Sequence, residues 1–147
     1  MNLILYYLFV YLIEAIILWL YCNRIFTSRK NTFLSLLITI GMFSLLIPVA
    51  ILTNAALNAF CSFIVYLCCI VLNYDSNPVW ALFHALALTI LMALSEGLIA
   101  AAIPDITIYA FRDGNIHSSA FTFVILSKSV YLCISQLVTR IFSKDTV

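Results

Sequence analysis

Long runs of apolar residues, separated by short polar breaks, follow one another along most of the chain. A helix that crosses a bilayer core of about 30 Å needs about 20 apolar residues. The stretch 32–74 would be roughly 60 Å long as a single helix, so we expect it to fold back on itself. Pro48 and the segment LTNAALN mark the predicted reversal, with Thr53 or Asn54 capping the next helix. The pattern predicts five spans, at about 3–22, 32–51, 54–73, 79–103 and 119–141.

The composition of the chain indicates that lipid surrounds these helices. Of 147 residues, 65% are hydrophobic and only 9% are charged, and the mean hydropathy is +1.16. A soluble domain carries roughly 45–50% apolar and about 25% charged residues. We therefore predict an all-α integral membrane bundle that forms a single polytopic transmembrane domain over 1–147. The protein would be a multi-pass protein of the cell membrane, with the lipid bilayer as its partner. The first apolar run lacks a positive leader and a cleavage site, so we interpret it as a retained span.

Lysine and arginine in the short loops predict the orientation of the bundle. Most positive charges fall in the first loop and in the C-terminal tail: Arg24, Arg29, Lys30, Arg140 and Lys144. With five spans, both segments lie on the cytoplasmic side and the N-terminus lies outside. The connection that contains the RDGN turn and His117 would then be outside. The turn at Asp75 would be inside without a positive charge of its own.

Three charged residues stand inside the predicted spans, namely Glu14, Glu96 and Lys128. Each charge at mid-bilayer costs about 2.5–3.5 kcal/mol on insertion scales, so each needs a partner. Counted at 1.5 Å per residue, all three lie about 10–18 Å from the outer ends of their spans. Spans four and five are consecutive and antiparallel, so we predict a Lys128–Glu96 ion pair with Glu14 as a competing or third member.

Polar side chains follow helical spacing around these charges. They form stripes of the kind that face a bundle interior rather than lipid. The stripes are typical of interhelical hydrogen bonding, of a polar cavity that binds a ligand or relays a signal, or of a proton or ion path. The candidate cavity residues are Asn58, Ser62, Tyr66, Tyr131 and Ser135.

Motifs for catalysis and metal binding are missing from the sequence. It has no glycine-rich phosphate loop, no HExxH or GxSxG motif and no Ser/His/Asp arrangement. The five cysteines lie in apolar runs without metal-ligand spacing. His84 is interpreted as a hydrogen-bonded packing histidine. We expect no enzymatic activity, no metal, no cofactor and, without a basic stripe, no nucleic-acid partner.

The order of the segments, with ALFHALALTILMALSEGLI in the fourth span and SKSVYLCISQLVTRIF in the fifth, resembles a known family. Over nearly the whole chain it is similar to the N-terminal membrane sensor of Agr-type, GHKL-class sensor histidine kinases of Gram-positive bacteria. The resemblance implies the sensor or receptor half of a two-component signal transduction system. It further implies an extracellular peptide or small-molecule ligand and a homodimer. A kinase core and two further spans would be expected beyond Val147, so kinase activity is not carried over.

Two other functions remain open on the residues alone. The three intramembrane charges could line the midplane site of a small substrate-binding component of a transporter. They could equally lock helices together in a structural or immunity-type membrane protein.

Overall fold

A computed structural model describes residues 2–106, 116 and 118–143, and the predicted RDGN turn, His117 and Lys144 lie outside these residues. It is 86% helical. Five helical segments are long and apolar enough to cross a membrane, which confirms an all-α fold with about five such segments. The elements in chain order are α1 (Leu3–Ile25), β1 (Thr27–Ser28), α2 (Thr32–Ser44), α3 (Ile47–Ile51), α4 (Ala55–Asn73), β2 (Tyr74–Asp75), α5 (Pro78–Ala102) and α6 (Ser118–Phe142).

Asparagine begins four of the helices. In each case the side-chain oxygen accepts a hydrogen bond from a backbone N–H two or three residues later, which satisfies one of the unpaired donors of the first turn. The caps are Asn2 for α1, Asn31 for α2, Asn54 for α4 and Asn77 for α5. These caps fix the helix starts within a residue or two of the predicted spans. The end of α1 differs more, because the helix continues to Ile25 through the start of the first polar break.

The span predicted over 32–51 is one of the five segments long and apolar enough to cross a membrane, but its helix is interrupted. Helix α2 ends at Ser44, and a separate short helix, α3, follows with Pro48 in its first turn. A proline has no N–H to donate and its ring collides with the carbonyl four residues earlier, here that of Ser44. The chain then reverses through Thr53, whose φ of 55° is left-handed. The proline therefore breaks the second span internally, and the reversal itself comes five residues later.

The long helices pack as a closed ring. Neighbours around the ring are α1, α2, α4, α5 and α6, and α6 packs back against α1, while α3 contacts α1 and α4. Buried side chains converge inside this ring, whereas many large apolar side chains point outward and are exposed. An outward apolar surface of this extent is typical of a bundle in lipid.

A two-residue antiparallel pairing ties two connections together at one end of the ring. In it Thr27 of β1 faces Asp75 of β2, and Ser28 faces Tyr74. The Arg29 guanidinium also lies 3.1 Å from the Asp75 carboxylate. We call this end, which holds the α1–α2 and α4–α5 connections, the basic end. The sequence did not predict the pairing, since two residues give no strand periodicity.

Buried polar side chains link three helices just inside the basic end. The Tyr74 hydroxyl donates to Asn23 Oδ1 at 3.0 Å and accepts from Ser35 at 3.3 Å. The Asn73 amide donates to Thr39 Oγ1 at 3.3 Å. These bonds hold α1, α2 and the end of α4 in register, as interhelical hydrogen bonds do in membrane bundles.

Candidate functional site

The three charged residues of the predicted spans meet in one contact. Lys128 Nζ lies 2.5 Å from Glu14 Oε1 and 2.5 Å from Glu96 Oε1. The side chains of Lys128 and Glu14 are 3% exposed, whereas that of Glu96 is 40% exposed. We call this group the charge triad. It joins α1, α5 and α6 through charge-assisted hydrogen bonds, which are the stronger kind.

Helix geometry explains why these residues meet. On α6 the buried positions Val124, Lys128, Tyr131 and Ser135 recur every three or four residues, so they form one inward face. Glu14 lies on the equivalent face of α1. At 1.5 Å per residue, Lys128 is about 15 Å from the start of α6 and Glu14 is about 17 Å from the start of α1. The two therefore stand at similar depth, and Glu96 approaches from the last turns of α5.

A cavity of about 170 Å³ adjoins the charge triad, on the side of the ring where α1 and α6 begin. Its volume is similar to that of an engineered cavity of about 150 Å³ that binds benzene. The walls combine aromatic rings with polar and charged groups. The described residues that line it are Tyr6, Tyr7, Val10, Tyr11, Glu14, Asn58, Ser62, Met92, Glu96, Phe123, Val124, Ser127 and Lys128.

Two residues that line this cavity each have a buried side-chain oxygen with no hydrogen-bond partner within the described ranges. These oxygens are Glu14 Oε2 and Ser62 Oγ. Asn58, by contrast, accepts a hydrogen bond of 2.9 Å from the Tyr11 hydroxyl. A buried polar group without a partner costs about 1–3 kcal/mol, so such groups often mark a place where something else binds.

Only part of the predicted cavity set lines this cavity. Asn58 and Ser62 do, but Tyr66, Tyr131 and Ser135 do not. Tyr66 is fully buried and donates to Met92 Sδ at 3.2 Å, and Tyr131 lies against it. Ser135 donates to the Leu132 carbonyl of its own helix at 2.9 Å. The polar stripes run along whole helices, whereas the cavity occupies one level of the ring, and sequence spacing does not distinguish the two.

An aromatic cluster around His84 was not predicted. His84 Nδ1 lies 2.7 Å from the Tyr21 hydroxyl, which fits the interpretation of a hydrogen-bonded packing histidine. Five aromatic rings have centroids within 6 Å of the imidazole, those of Tyr21, Phe26, Trp80, Phe83 and Phe142. The cluster holds the ends of α1 and α6 against the start of α5. Among sequence signals, only the local run of Trp80, Phe83 and His84 points to it.

The part of the chain that the structure describes holds no group of three or more His, Cys, Asp or Glu side chains suited to a metal ion. Its five cysteines are free thiols. The charge triad and its cavity are thus the chemically distinctive site of the described residues.

Comparison with family models, with curated proteins and with solved structures finds no match to this chain.

Proposed function

We propose that the chain is the membrane-embedded ligand-binding domain of a sensor of the two-component type, with its N-terminus outside and its C-terminus in the cytoplasm. One observation carries the proposal: Lys128 belongs both to the cavity wall and to α6, the last helix that the structure describes. A ligand that competes for either carboxylate partner changes the forces on α6 directly. Only such a differential interaction can shift a conformational equilibrium.

The distribution of basic side chains supports this orientation. Helix α6 ends at the basic end, because Phe142 packs against Phe83 and His84 near the start of α5. Apart from Lys128, every described lysine or arginine therefore lies at that end: Arg24, Arg29, Lys30 and Arg140. An excess of lysine and arginine in short loops is the mark of the cytoplasmic face. Asp75, which the sequence left without a positive neighbour, has Arg29 beside it.

The distance from cavity to basic end is suited to signal relay. Fourteen residues separate Lys128 from Phe142, which corresponds to about 21 Å of helix. Helix shifts of about 1–2 Å are a common form of allosteric movement. A shift of α6 driven at Lys128 would reach the His84 cluster, where Phe142 is held. A cytoplasmic domain following α6 would receive that movement.

Distance measurements across the basic end test this proposal. Spin labels on Thr27→Cys and Ile141→Cys, in a chain whose native cysteines are replaced, report the separation of β1 and the end of α6 in nanodiscs. We expect Lys128→Met to change the distance distribution and Lys128→Arg, the control that keeps the charge, to leave it unchanged. An unchanged distribution in a folded Lys128→Met variant contradicts the sensor proposal and leaves a packing role for the charges.

The transporter alternative predicts a different result. Proton flux into proteoliposomes under an imposed membrane potential, followed with a trapped pH-sensitive dye, would depend on Lys128 if the triad lined a coupled transport path. The sensor proposal predicts no flux above that of empty vesicles. Flux without a change in the distance distribution would favour transport.

A further inference from the structure

The charge triad carries one negative charge more than it carries positive charges. Two carboxylates, Glu14 and Glu96, share the single ammonium group of Lys128. Within the described helices no other charged side chain lines the cavity. Glu14 is buried and shares its only cationic partner with Glu96, so one further positive charge beside Glu14 would be favourable.

The two unpartnered oxygen atoms indicate where that charge would bind. Glu14 and Ser62 are 2% and 1% exposed, both line the cavity, and Glu14 Oε2 and Ser62 Oγ lack partners within the described part of the chain. Both atoms can accept a hydrogen bond. The stacked rings of Tyr7 and Tyr11, with centroids 6.3 Å apart, line the same cavity. Aromatic faces attract cations, most strongly where water is excluded.

We propose that the cavity binds a small organic cation with a primary ammonium group, which donates hydrogen bonds to Glu14 Oε2 and Ser62 Oγ. This inference rests on the proposed ligand-binding function and specifies the chemistry of the ligand. A primary ammonium has three N–H donors, enough for both oxygens and one more acceptor. The cavity volume of about 170 Å³ leaves room for an apolar group against the aromatic walls. A bare metal ion suits the site less, since hard cations take about six or more oxygen ligands.

A pair of probes that differ in charge tests the proposal. Benzylammonium and its uncharged counterpart benzyl alcohol are titrated into the full chain in nanodiscs, and binding is followed by calorimetry. We expect saturable, stoichiometric binding of benzylammonium that potassium ions do not displace, and only non-saturable partitioning of benzyl alcohol.

Matched variants locate the binding. Glu14→Gln leaves Lys128 paired with Glu96 in a neutral group, so the chain should fold, and benzylammonium affinity should fall by about tenfold or more. Ser62→Ala removes only a hydroxyl and should weaken binding by a few-fold. Ser135→Ala is the control, because that buried hydroxyl bonds its own helix and lies outside the cavity, and affinity should not change.

Three results would overturn the inference. One is equal binding of the charged and uncharged probes, and a second is undiminished benzylammonium binding in both Glu14→Gln and Ser62→Ala. The third is an infrared band of a protonated carboxyl group, lost in Glu14→Gln, that persists at saturating benzylammonium. That band would mean that a proton supplies the missing charge. If benzylammonium binds but the spin-label distances between β1 and the end of α6 do not change, the sensor proposal is contradicted and the inference about the ligand stands.

Discussion

Replacing Lys128 by Met should destabilise the bundle strongly, and the structure predicts which second change repairs the damage. The Glu14 side chain is 3% exposed and loses its ion-pair partner, which leaves a buried charge at a cost of about 3–5 kcal/mol. The Glu96 side chain is 40% exposed, so the loss of its contact should add about 1 kcal/mol or less.

Adding Glu14→Gln to Lys128→Met removes the stranded charge and keeps the shape of the side chain. We expect it to recover about 2 kcal/mol or more of the lost unfolding free energy. Adding Glu96→Gln makes the same chemical change at the exposed carboxylate and should recover about 1 kcal/mol or less. Each double variant is thus the control for the other.

A thiol-reactive fluorophore can measure these differences in a chain that keeps the buried Cys22 and Cys69 and in which the other three cysteines, which are not buried, are replaced. Cys22 and Cys69 are 0% and 1% exposed, so they react when the bundle opens. Unfolding free energies are obtained by following their labelling during denaturation in detergent. Equal recovery by Glu14→Gln and Glu96→Gln, or no recovery by either, would refute the reasoning that the burial of Glu14 sets the cost.

Three further predictions concern the basic end and the His84 cluster. Tyr21→Phe removes the hydroxyl that lies 2.7 Å from His84 and should cost about 1 kcal/mol in the same unfolding assay. Arg29→Ala breaks an ion pair with Asp75 in which both side chains are more than half exposed, so the loss should stay below about 1 kcal/mol; a larger loss would mean that this contact organises the loop. Burial raises the pKa of Tyr74 from 10.0 to about 12, so the folded state holds its proton over a range where the unfolded chain has lost it. Unfolding free energy should therefore fall between these pH values, and less steeply in Tyr74→Phe, as alkaline denaturation would show.

Much of the fold could be predicted from the sequence because the composition indicated a lipid environment, in which few backbone structures are stable. In lipid, a chain segment must pair all of its backbone N–H and C=O groups, and a helix does so within itself. Five long apolar runs therefore indicated five helical segments directly. Pro48 was more difficult, because proline is compatible both with a helix start and with a chain reversal. The structure places it in the first turn of α3. The pairing of β1 with β2 involves two residues on each side and leaves no periodic pattern in the sequence.

The charge triad could be predicted in outline, because a charge inside an apolar span requires a partner. Depth counted along each helix brought Lys128 close to Glu96 and Glu14. Sequence spacing could not give their unequal burial, which depends on how the helices close into a ring. For the same reason Asn58 and Tyr66, eight residues apart on one helix, could not be separated into a cavity residue and a packing residue.

Cysteine labelling in intact cells tests most directly whether five helices cross the membrane with the basic end in the cytoplasm. Two single substitutions, Leu52→Cys and Thr27→Cys, are made in a chain without its native cysteines. Leu52 lies in the α3–α4 turn and Thr27 lies in β1, at opposite ends of the bundle. In intact cells, a membrane-impermeant maleimide should label Leu52→Cys and should leave Thr27→Cys unlabelled until the membrane is permeabilised. Labelling of Thr27→Cys in intact cells, with or without labelling of Leu52→Cys, would contradict this orientation.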